Sequence, residues 1–414
     1  MRHPFDPTAA VHAGREDLRQ LGIHALPVDL STTYPLGSLD DASASLDALV
    51  AGQASADNPI YARLFNPTVD RFERALATLE CAPSGVAFSS GMAALTALVL
   101  AMRERGSHII AVRPLYGTTD HLLGSGLLGN SVSWVEADQV AEALRPDTAF
   151  VLIETPANPT LELVDIPAVV EQAGTVPVVV DSTFATPVLQ RPLALGASAV
   201  LHSATKFIGG HGDVIAGIIA CREHYAERLR QVRVATGALL HPWAAYLLHR
   251  SLPTLRLRVE QAQASARELV QRLQAHPAVD RVFYPGLDEA GRSLLERQMN
   301  GPGCVLGFGV IGGRAAAAQI LERVRLITPA VSLGSVDTLI QHPAGLTHRV
   351  VAPSDRDAGG IQDNLLRVSV GLEAVEDLWR DLDQALTASR PVPIDPSSCA
   401  APPRDERPST RKSA

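Results

Sequence analysis

Short runs of apolar residues alternate with segments of helical periodicity between residues 59 and about 250. The apolar runs predict strands at 108–112, 149–154, 176–180 and 199–203, and the periodic segments predict helices at 92–104, 115–128 and 166–173. Because a strand that is apolar on both sides must be covered on both faces, the pattern predicts an α/β fold with a mostly parallel sheet between helical layers. Ligands of such sheets bind beyond the carboxyl ends of the strands.

Further segments flank this predicted large domain, which spans residues 59–250. Residues 1–58 are rich in turn formers and predict an N-terminal arm with one short helix. A helical pattern spans residues 241–276 and is broken near Pro253. Three strand patterns follow it, at 279–284, 304–310 and 366–370. Residues 251–390 therefore predict a second, smaller α/β domain. Residues 391–414 are rich in proline, serine and charge, which predicts a disordered tail.

Composition and charge limit the classes of partner and the cellular compartment that we expect for this protein. The 414 residues carry a formal net charge of −8, which gives no reason to expect nucleic acid or an anionic membrane as a partner. No apolar run approaches the roughly 20 residues that span a bilayer, and the N-terminus lacks the apolar segment of a signal peptide. The four cysteines lack C-x-x-C spacing, so we expect free thiols in a reducing cytoplasm and no metal site.

The most informative motif is the run SATKFIGGHG at 203–212. It places Lys206 after an apolar strand, between two hydroxyl residues and a glycine-rich turn. A lysine that is partly desolvated, or that lies near another cation, can form a Schiff base with an aldehyde. Ser203 and Thr205 are short hydroxyl donors suited to an anionic group such as phosphate. A surface lysine at a strand-to-loop turn is the alternative interpretation of this motif taken alone.

Two other positions are candidates for binding a cofactor. Asp181 closes the strand predicted at 176–180 and is expected at the same sheet edge as Lys206. A carboxylate there could hold a ring nitrogen protonated, as the acidic partner of pyridoxal phosphate does; a structural cap or turn aspartate is the alternative. Ser-Ser-Gly-Met at 89–92 opens a predicted helix, so Gly91 and Met92 are candidates for a phosphate site, with simple N-capping as the alternative.

Aromatic, amide and guanidinium side chains complete the candidate set. Tyr116 follows a predicted strand and could stack on a planar ring or move a proton, with plain packing as the alternative. Asn158 also follows a strand and could donate to a ring hydroxyl, or simply occupy a turn before proline. Tyr61 and Arg63 lie two residues apart and supply a phenol and a guanidinium, and a guanidinium is suited to binding phosphate. Arg367 could bind a carboxylate through two hydrogen bonds, with a surface ion pair as the alternative.

These motifs follow one another in a characteristic order. Along the chain they are Y-x-R-x-x-N-P-T, S-S-G-M, L-Y-G, E-T-P-x-N-P, V-V-V-D-x-T and S-A-T-K-x-x-x-G-H-G. From about residue 11 to residue 388 the chain resembles the Cys/Met-metabolism (trans-sulfuration) family of pyridoxal-phosphate-dependent enzymes. The resemblance implies pyridoxal 5'-phosphate as the cofactor and a type I, aspartate-aminotransferase-like fold. It also implies a homotetramer of two tight dimers, with active sites shared across each dimer.

The resemblance further implies a role for each candidate residue. Lys206 would bind the cofactor aldehyde and act as the catalytic base. Asp181 would pair with the pyridine nitrogen, and Tyr116 would stack on the ring and donate a proton to the leaving group. Asn158 would contact the ring oxygen of the cofactor. Four residues would bind its phosphate, namely Gly91, Met92, Ser203 and Thr205. Tyr61 and Arg63 would reach the phosphate bound in the partner subunit. Ser332 would position the lysine, and Arg367 would bind the carboxylate of a small amino-acid substrate.

Loop features bear on the reaction. Val331 stands where relatives that handle cystathionine often carry glutamate, which favours a substrate without a charged far end and resembles methionine γ-lyase. Thr118 and Arg233 differ from the residues common in that enzyme and leave substrate choice open. The leading interpretation is a carbon–sulfur lyase that releases 2-oxobutyrate, ammonia and a thiol by α,γ-elimination. A γ-replacing transferase, of the cystathionine γ-synthase or O-acetylhomoserine sulfhydrylase type, is the alternative, and a non-catalytic cofactor-binding protein is the third.

Overall fold

The computed structural model describes residues 5–389 of the chain. The helices within this range are α1 (Pro7–His12), α2 (Leu39–Val50), α3 (Pro67–Glu80), α4 (Gly91–Ala101), α5 (Gly117–Gly124), α6 (Ile166–Ala173), α7 (Thr186–Leu189), α8 (Glu223–Thr236), α9 (Pro242–Ser251), α10 (Leu255–Ala275), α11 (Glu289–Gln298), α12 (Gly313–Arg323), α13 (Pro353–Ala358) and α14 (Val375–Ala388). The strands are β1 (Ser84–Phe88), β2 (His108–Val112), β3 (Ser131–Val135), β4 (Thr148–Glu154), β5 (Val178–Asp181), β6 (Ala199–His202), β7 (Gly217–Cys221), β8 (Val279–Phe283), β9 (Val305–Val310), β10 (Thr328–Pro329), β11 (Leu339–Gln341) and β12 (Leu365–Ser369).

Seven strands form one large sheet in the order β1-β7-β6-β5-β4-β2-β3. The strands from β6 to β3 pair in parallel, and β7 runs antiparallel to both of its neighbours. Alternate residues of β4 belong to different cores, since Leu152 packs with the cluster of α4 and Ile153 packs with the cluster of α6. Because successive strand residues point to opposite faces, this division means that both faces of the sheet are covered. The prediction of a mostly parallel, doubly covered sheet is confirmed.

A second sheet of five strands follows, in the order β10-β11-β12-β9-β8. Its pairings are antiparallel except between β10 and β11. One apolar cluster joins this sheet to α10, α12 and α14, through side chains such as Leu269, Ile320 and Leu382. The helical region predicted at 241–276 is present as α9 and α10, separated by the turn Leu252–Thr254 that contains Pro253. The break follows from proline, which lacks the backbone N–H that a helix interior requires.

Several local predictions need correction. The helix predicted at 115–128 is shorter, Gly117–Gly124, because Tyr116 is its N-cap and the following segment turns at Gly126 and Gly129, both with positive φ. The N-terminal arm contains two helices, α1 and α2, rather than one. The tail predicted at 391–414 lies outside the described residues. Within residues 5–389, no helix combines the length and the apolar character needed to cross a membrane.

Candidate active site

A cavity of about 550 Å³ opens at the carboxyl edge of the large sheet. Its wall contains ten of the predicted site residues, namely Gly91, Met92, Tyr116, Asn158, Asp181, Ser203, Thr205, Lys206, Ser332 and Arg367. The parallel strands explain this convergence, because β2, β4, β5 and β6 all end at one edge and the chain leaves each strand there. Arg367 and Ser332 reach the same cavity from the second sheet, where Arg367 lies in β12 and Ser332 follows β10.

Lys206 is largely buried at the centre of this cavity. Its Nζ donates to Ser332 Oγ at 2.8 Å. Burial, and then the nearby Arg367 cation, lowers the pKa of Lys206 from 10.5 to about 8. The neutral, nucleophilic fraction of the amine near neutral pH is therefore much larger than for an ordinary lysine, which favours Schiff-base chemistry. The chain contains only one other lysine, Lys412.

Ser332 holds the lysine from an unfavourable backbone conformation. Its φ is 101°, in a region that residues with a side chain rarely adopt. The Ser332 carbonyl accepts from Arg367 Nη2 at 2.7 Å. Two residues later, Gly334 lies so close to the lysine turn that a Cβ there would be 2.5 Å from Phe207 N. The loop after β10, which contains Ser332 and Gly334, therefore packs directly against the turn that carries Lys206.

Asp181 ends β5 with its carboxylate anchored on one side. Thr183 donates to Asp181 Oδ1 from its backbone N–H at 3.0 Å and from its hydroxyl at 2.5 Å. The same hydroxyl accepts from Ser203 N at 2.8 Å, which ties β5 to the residue that follows β6. Burial raises the pKa of Asp181, whereas the Thr183 hydrogen bonds lower it. Sequence reasoning missed Thr183, although its spacing of two residues after an aspartate is the signal of a local side-chain-to-backbone turn.

Glu154 is a second functional candidate that sequence reasoning missed. It ends β4 beside Asp181, its partner in the register of β5. Its Oε2 accepts from Tyr116 N and its Oε1 accepts from Asn158 N, each at 2.8 Å. Burial and the adjacent Asp181 carboxylate raise the pKa of Glu154 to about 8. The available signal was the acidic first residue of the E-T-P-x-N-P motif, at the end of an otherwise apolar strand.

Arg367 and Asn158 interact in the wall of the same cavity. Arg367 Nη1 donates to Asn158 Oδ1 at 2.7 Å, which leaves the Asn158 amide nitrogen as the donor available to a ring oxygen. Burial lowers the pKa of Arg367 to about 10, so the guanidinium is charged at neutral pH. None of the ion pairs found among residues 5–389 includes Arg367. A buried cation without an acidic partner is suited to the carboxylate of a substrate.

The start of α4 forms the anion-binding end of the cavity. Ser90 caps the helix through Oγ, which accepts from Ala93 N at 3.0 Å. The N–H groups of Gly91 and Met92 have no partner within the helix, and the positive end of its dipole points toward an anion. A Cβ at Gly91 would lie 3.0 Å from Ser203 Cβ, closer than ordinary contact, so glycine eases the approach of the helix start to the residue after β6. The Thr205 hydroxyl is already bonded to Ala216 O and N, and its hydrogen must leave Ala216 O to reach a phosphate.

Tyr61 and Arg63 lie outside this cavity. Both side chains are exposed, and the Arg63 guanidinium lies 5.7 Å from the Tyr61 ring centroid. Arg63 Nη1 donates to Val234 O at 2.9 Å. The structure contains one chain and does not bring this pair to the other site residues of that chain, so its predicted role in a partner subunit stays a prediction.

The outer rim of the cavity is apolar. Val331 is 55% exposed, and Ile215 and Leu346 line the same opening. Thr118 does not line the cavity and faces a separate groove beside α5. Arg233 is buried and paired with Glu73, so its side chain is committed to the interior of the fold rather than to a substrate.

These residues fit pyridoxal phosphate. A desolvated amine at Lys206 can bind its aldehyde, the start of α4 can bind its phosphate, and the buried Asp181 carboxylate can pair with its ring nitrogen. Tyr116 supplies an aromatic ring in the same wall.

Comparison with known proteins agrees with this chemistry. The family model for Cys/Met metabolism PLP-dependent enzymes matches residues 7–387. The L-methionine gamma-lyase of Streptomyces avermitilis is 54% identical over 385 residues, covering 92% of this chain and 89% of that protein. The L-methionine gamma-lyase of Brevibacterium sandarakinum is 53% identical over 392 residues, covering 94% of this chain and 98% of that protein.

A solved structure shows the same architecture. Cystathionine gamma synthase from Xanthomonas oryzae pv. oryzae, in complex with aminoacrylate and cysteine, superposes with a TM-score of 0.85 at 34% identity. The match covers 92% of this chain and 98% of that chain, and it confirms the expected fold class. The chain therefore belongs to the Cys/Met metabolism family of PLP-dependent enzymes.

Proposed function

We propose that the protein is a carbon–sulfur lyase that converts methionine to 2-oxobutyrate, ammonia and methanethiol by α,γ-elimination. The observation that carries this proposal is the apolar rim around Val331. The carboxylates that line the cavity, Glu154 and Asp181, lie at strand ends and not at this rim. A substrate with a distal ammonium would find no acidic partner there within the described chain, whereas a thioether tail would bury its methyl group favourably.

The two relatives with 54% and 53% identity support this choice, because both are named L-methionine gamma-lyase. Identity at this level extends over more than nine-tenths of the chain. The matched length is therefore too great to be limited to the cofactor-binding region.

Pyridoxal phosphate would be held by Lys206, Asp181, Asn158 and the start of α4, and when bound it supplies an electron sink that acidifies the substrate Cα–H. The neutral Lys206 Nζ would accept that proton, give it up again within the site and, once neutral, accept a proton from the β-carbon. Ser332 Oγ, at 2.8 Å, would keep Nζ aimed into the cavity. The Tyr116 hydroxyl would donate a proton to the departing sulfur, and Arg367 would orient the substrate through its carboxylate.

The experiment is to incubate the purified holoenzyme with methionine and with homocysteine and to measure 2-oxobutyrate and volatile thiol. Both products should appear in equal amounts, and Lys206→Ala should abolish them. Absence of product from both substrates would contradict the proposal.

A γ-replacing transferase is the second candidate, and the structural similarity to a cystathionine gamma synthase favours it. Such an enzyme joins an activated homoserine ester to an external nucleophile. It would consume O-acetyl- or O-succinylhomoserine at a rate that depends on an added thiol, and it would leave methionine unchanged.

We also propose a homotetrameric, cytoplasmic enzyme with an arm at 1–58, a cofactor domain at 59–250 and a smaller domain at 251–390. The exposed Tyr61–Arg63 pair supports shared sites, because these side chains, which the resemblance assigns to phosphate binding, lie outside the cavity of their own chain. Arg63→Ala should therefore weaken cofactor retention, measured by dialysis and absorbance. Unchanged retention would contradict a shared site.

A further inference from the structure

We propose that Glu154 is a positioning residue whose carboxylate fixes two cofactor-facing loops at once, the loop after β2 and the loop after β4. Each of its oxygens accepts one backbone N–H, from Tyr116 and from Asn158, at 2.8 Å. The two bonds join the loop after β2 to the loop after β4, and these two strands are neighbours in the sheet. The ring at Tyr116 and the amide at Asn158 are therefore set by a single side chain.

The hydrogen bond from Asn158 N to Glu154 is linked to Lys206 through a series of further hydrogen bonds. Asn158, whose N–H is held by Glu154, receives the Arg367 guanidinium on its side-chain oxygen at 2.7 Å. Arg367 also holds the carbonyl of Ser332 at 2.7 Å, and the hydroxyl of Ser332 accepts from Lys206 Nζ at 2.8 Å. A displacement of Asn158 would thus be transmitted to the group that binds substrate and to the amine that moves protons.

Glutamate is the side chain that this arrangement requires. Both partners are donors, so both terminal atoms of residue 154 must be acceptors, as the two oxygens of a carboxyl group are; burial and the Asp181 charge raise the pKa of Glu154, and the two hydrogen bonds lower it. Glutamine offers one acceptor and one NH₂ group, which would face a backbone N–H as donor against donor. Aspartate keeps the charge but is one methylene shorter and cannot span both loops from the same backbone position.

Asp381 offers a matched control in the second sheet region. It is also buried, and its carboxylate accepts backbone N–H groups from Arg325, Leu326 and Ile327 at 2.8–3.0 Å, with one longer bond from Gln384 Nε2 at 3.3 Å. It does not line the cavity. Asp381→Asn therefore measures what the loss of a buried backbone-binding carboxylate does to stability alone.

The test compares Glu154→Gln, Glu154→Asp and Asp381→Asn with the unchanged holoenzyme. The readouts are the melting temperature, the circular dichroism of the cofactor band per bound cofactor, and kcat and KM. Both Glu154 variants should lose cofactor dichroism and about tenfold or more in kcat. Asp381→Asn should lower the melting temperature but keep the dichroism and kcat.

Three results would overturn the inference. Normal cofactor dichroism and kcat in Glu154→Gln would show that the two loops need no clamp. Full rescue by Glu154→Asp would show that charge alone matters. Loss of fold in both Glu154 variants would show that the carboxylate maintains the fold rather than the two loops. The inference rests on the proposed cofactor site but not on the substrate, since the dichroism can be read without methionine turnover.

Discussion

The two sheets supply side chains to one cavity in different ways. The large sheet does so through parallel strands that end together, so Tyr116, Asp181 and Ser203 arrive at one edge by topology. The second sheet is mostly antiparallel, and it contributes Arg367 from within β12 and Ser332 from a loop with a strained backbone. The comparison suggests a division of labour, in which the large sheet binds the cofactor and the second sheet binds and orients the substrate.

The two sheets meet at Lys206. The lysine belongs to the large sheet region, but its Nζ bonds to Ser332, and Arg367 contributes to its lowered pKa. The Lys206 amine therefore receives its position, and part of the lowering of its pKa, from residues of the second sheet region.

One substitution in each sheet should show whether the two sheets have these separate roles. Asp181→Asn should remove the partner of the ring nitrogen, alter the cofactor absorbance and lower kcat by about 10²-fold or more. Arg367→Gln should leave cofactor absorbance and affinity unchanged while raising KM, with a loss of about 10²-fold in kcat/KM. Absorbance titration with pyridoxal phosphate and steady-state kinetics measure both effects. If Arg367→Gln released the cofactor while Asp181→Asn changed only KM, the division would be wrong.

The pH dependence of cofactor attachment tests the coupling between the sheets. Attack on the aldehyde needs the neutral amine, so the rate of attachment to cofactor-free protein should rise with pH through about 8, well below the ordinary lysine value of 10.5. Arg367→Gln should move this midpoint upward, because a neighbouring cation is lost. Borohydride trapping with peptide mapping separates Lys206 from Lys412, the other lysine of the chain. An identical midpoint in the variant would contradict the coupling.

Substitutions of Ser332, whose backbone is strained, should have a smaller effect on kcat. Ser332→Ala removes the hydroxyl that holds Nζ but keeps a side chain at φ 101°, whereas Ser332→Gly removes both the hydroxyl and the strain. Both should lower kcat several-fold, and the glycine variant should be more stable than the alanine variant by about 1 kcal/mol. Denaturant unfolding measures the stability difference. A glycine variant that is less stable than the alanine variant would argue against strain at this position.

Much of the large sheet could be predicted from the sequence because its strands are apolar on both faces. The strand at 108–112 and the helix at 166–173 have the bounds that their patterns predict. Asp181 and Lys206 could be placed at one edge because parallel strands align their carboxyl ends. The glycine and hydroxyl residues before α4 likewise marked a helix start that the structure places in the cavity wall.

The rest depended on tertiary contacts that a linear pattern does not contain. Glu154 ends an apolar strand, and nothing in its spacing shows that it binds backbone N–H groups from two loops. The antiparallel direction of β7 and the strained φ of Ser332 arise from packing between segments distant in sequence. The position of Tyr61 and Arg63 outside the cavity of their own chain was expected from the family resemblance, and the order of residues along the chain does not show it.

If the apolar rim around Val331 selects a substrate with an uncharged tail, Val331→Glu should change that selection. We predict that the unchanged enzyme forms 2-oxobutyrate from methionine with a higher kcat/KM than from cystathionine. Val331→Glu should lower the kcat/KM for methionine about tenfold and raise that for cystathionine. Failure of the unchanged enzyme to cleave methionine, or equal values for both substrates before and after the substitution, would contradict the account.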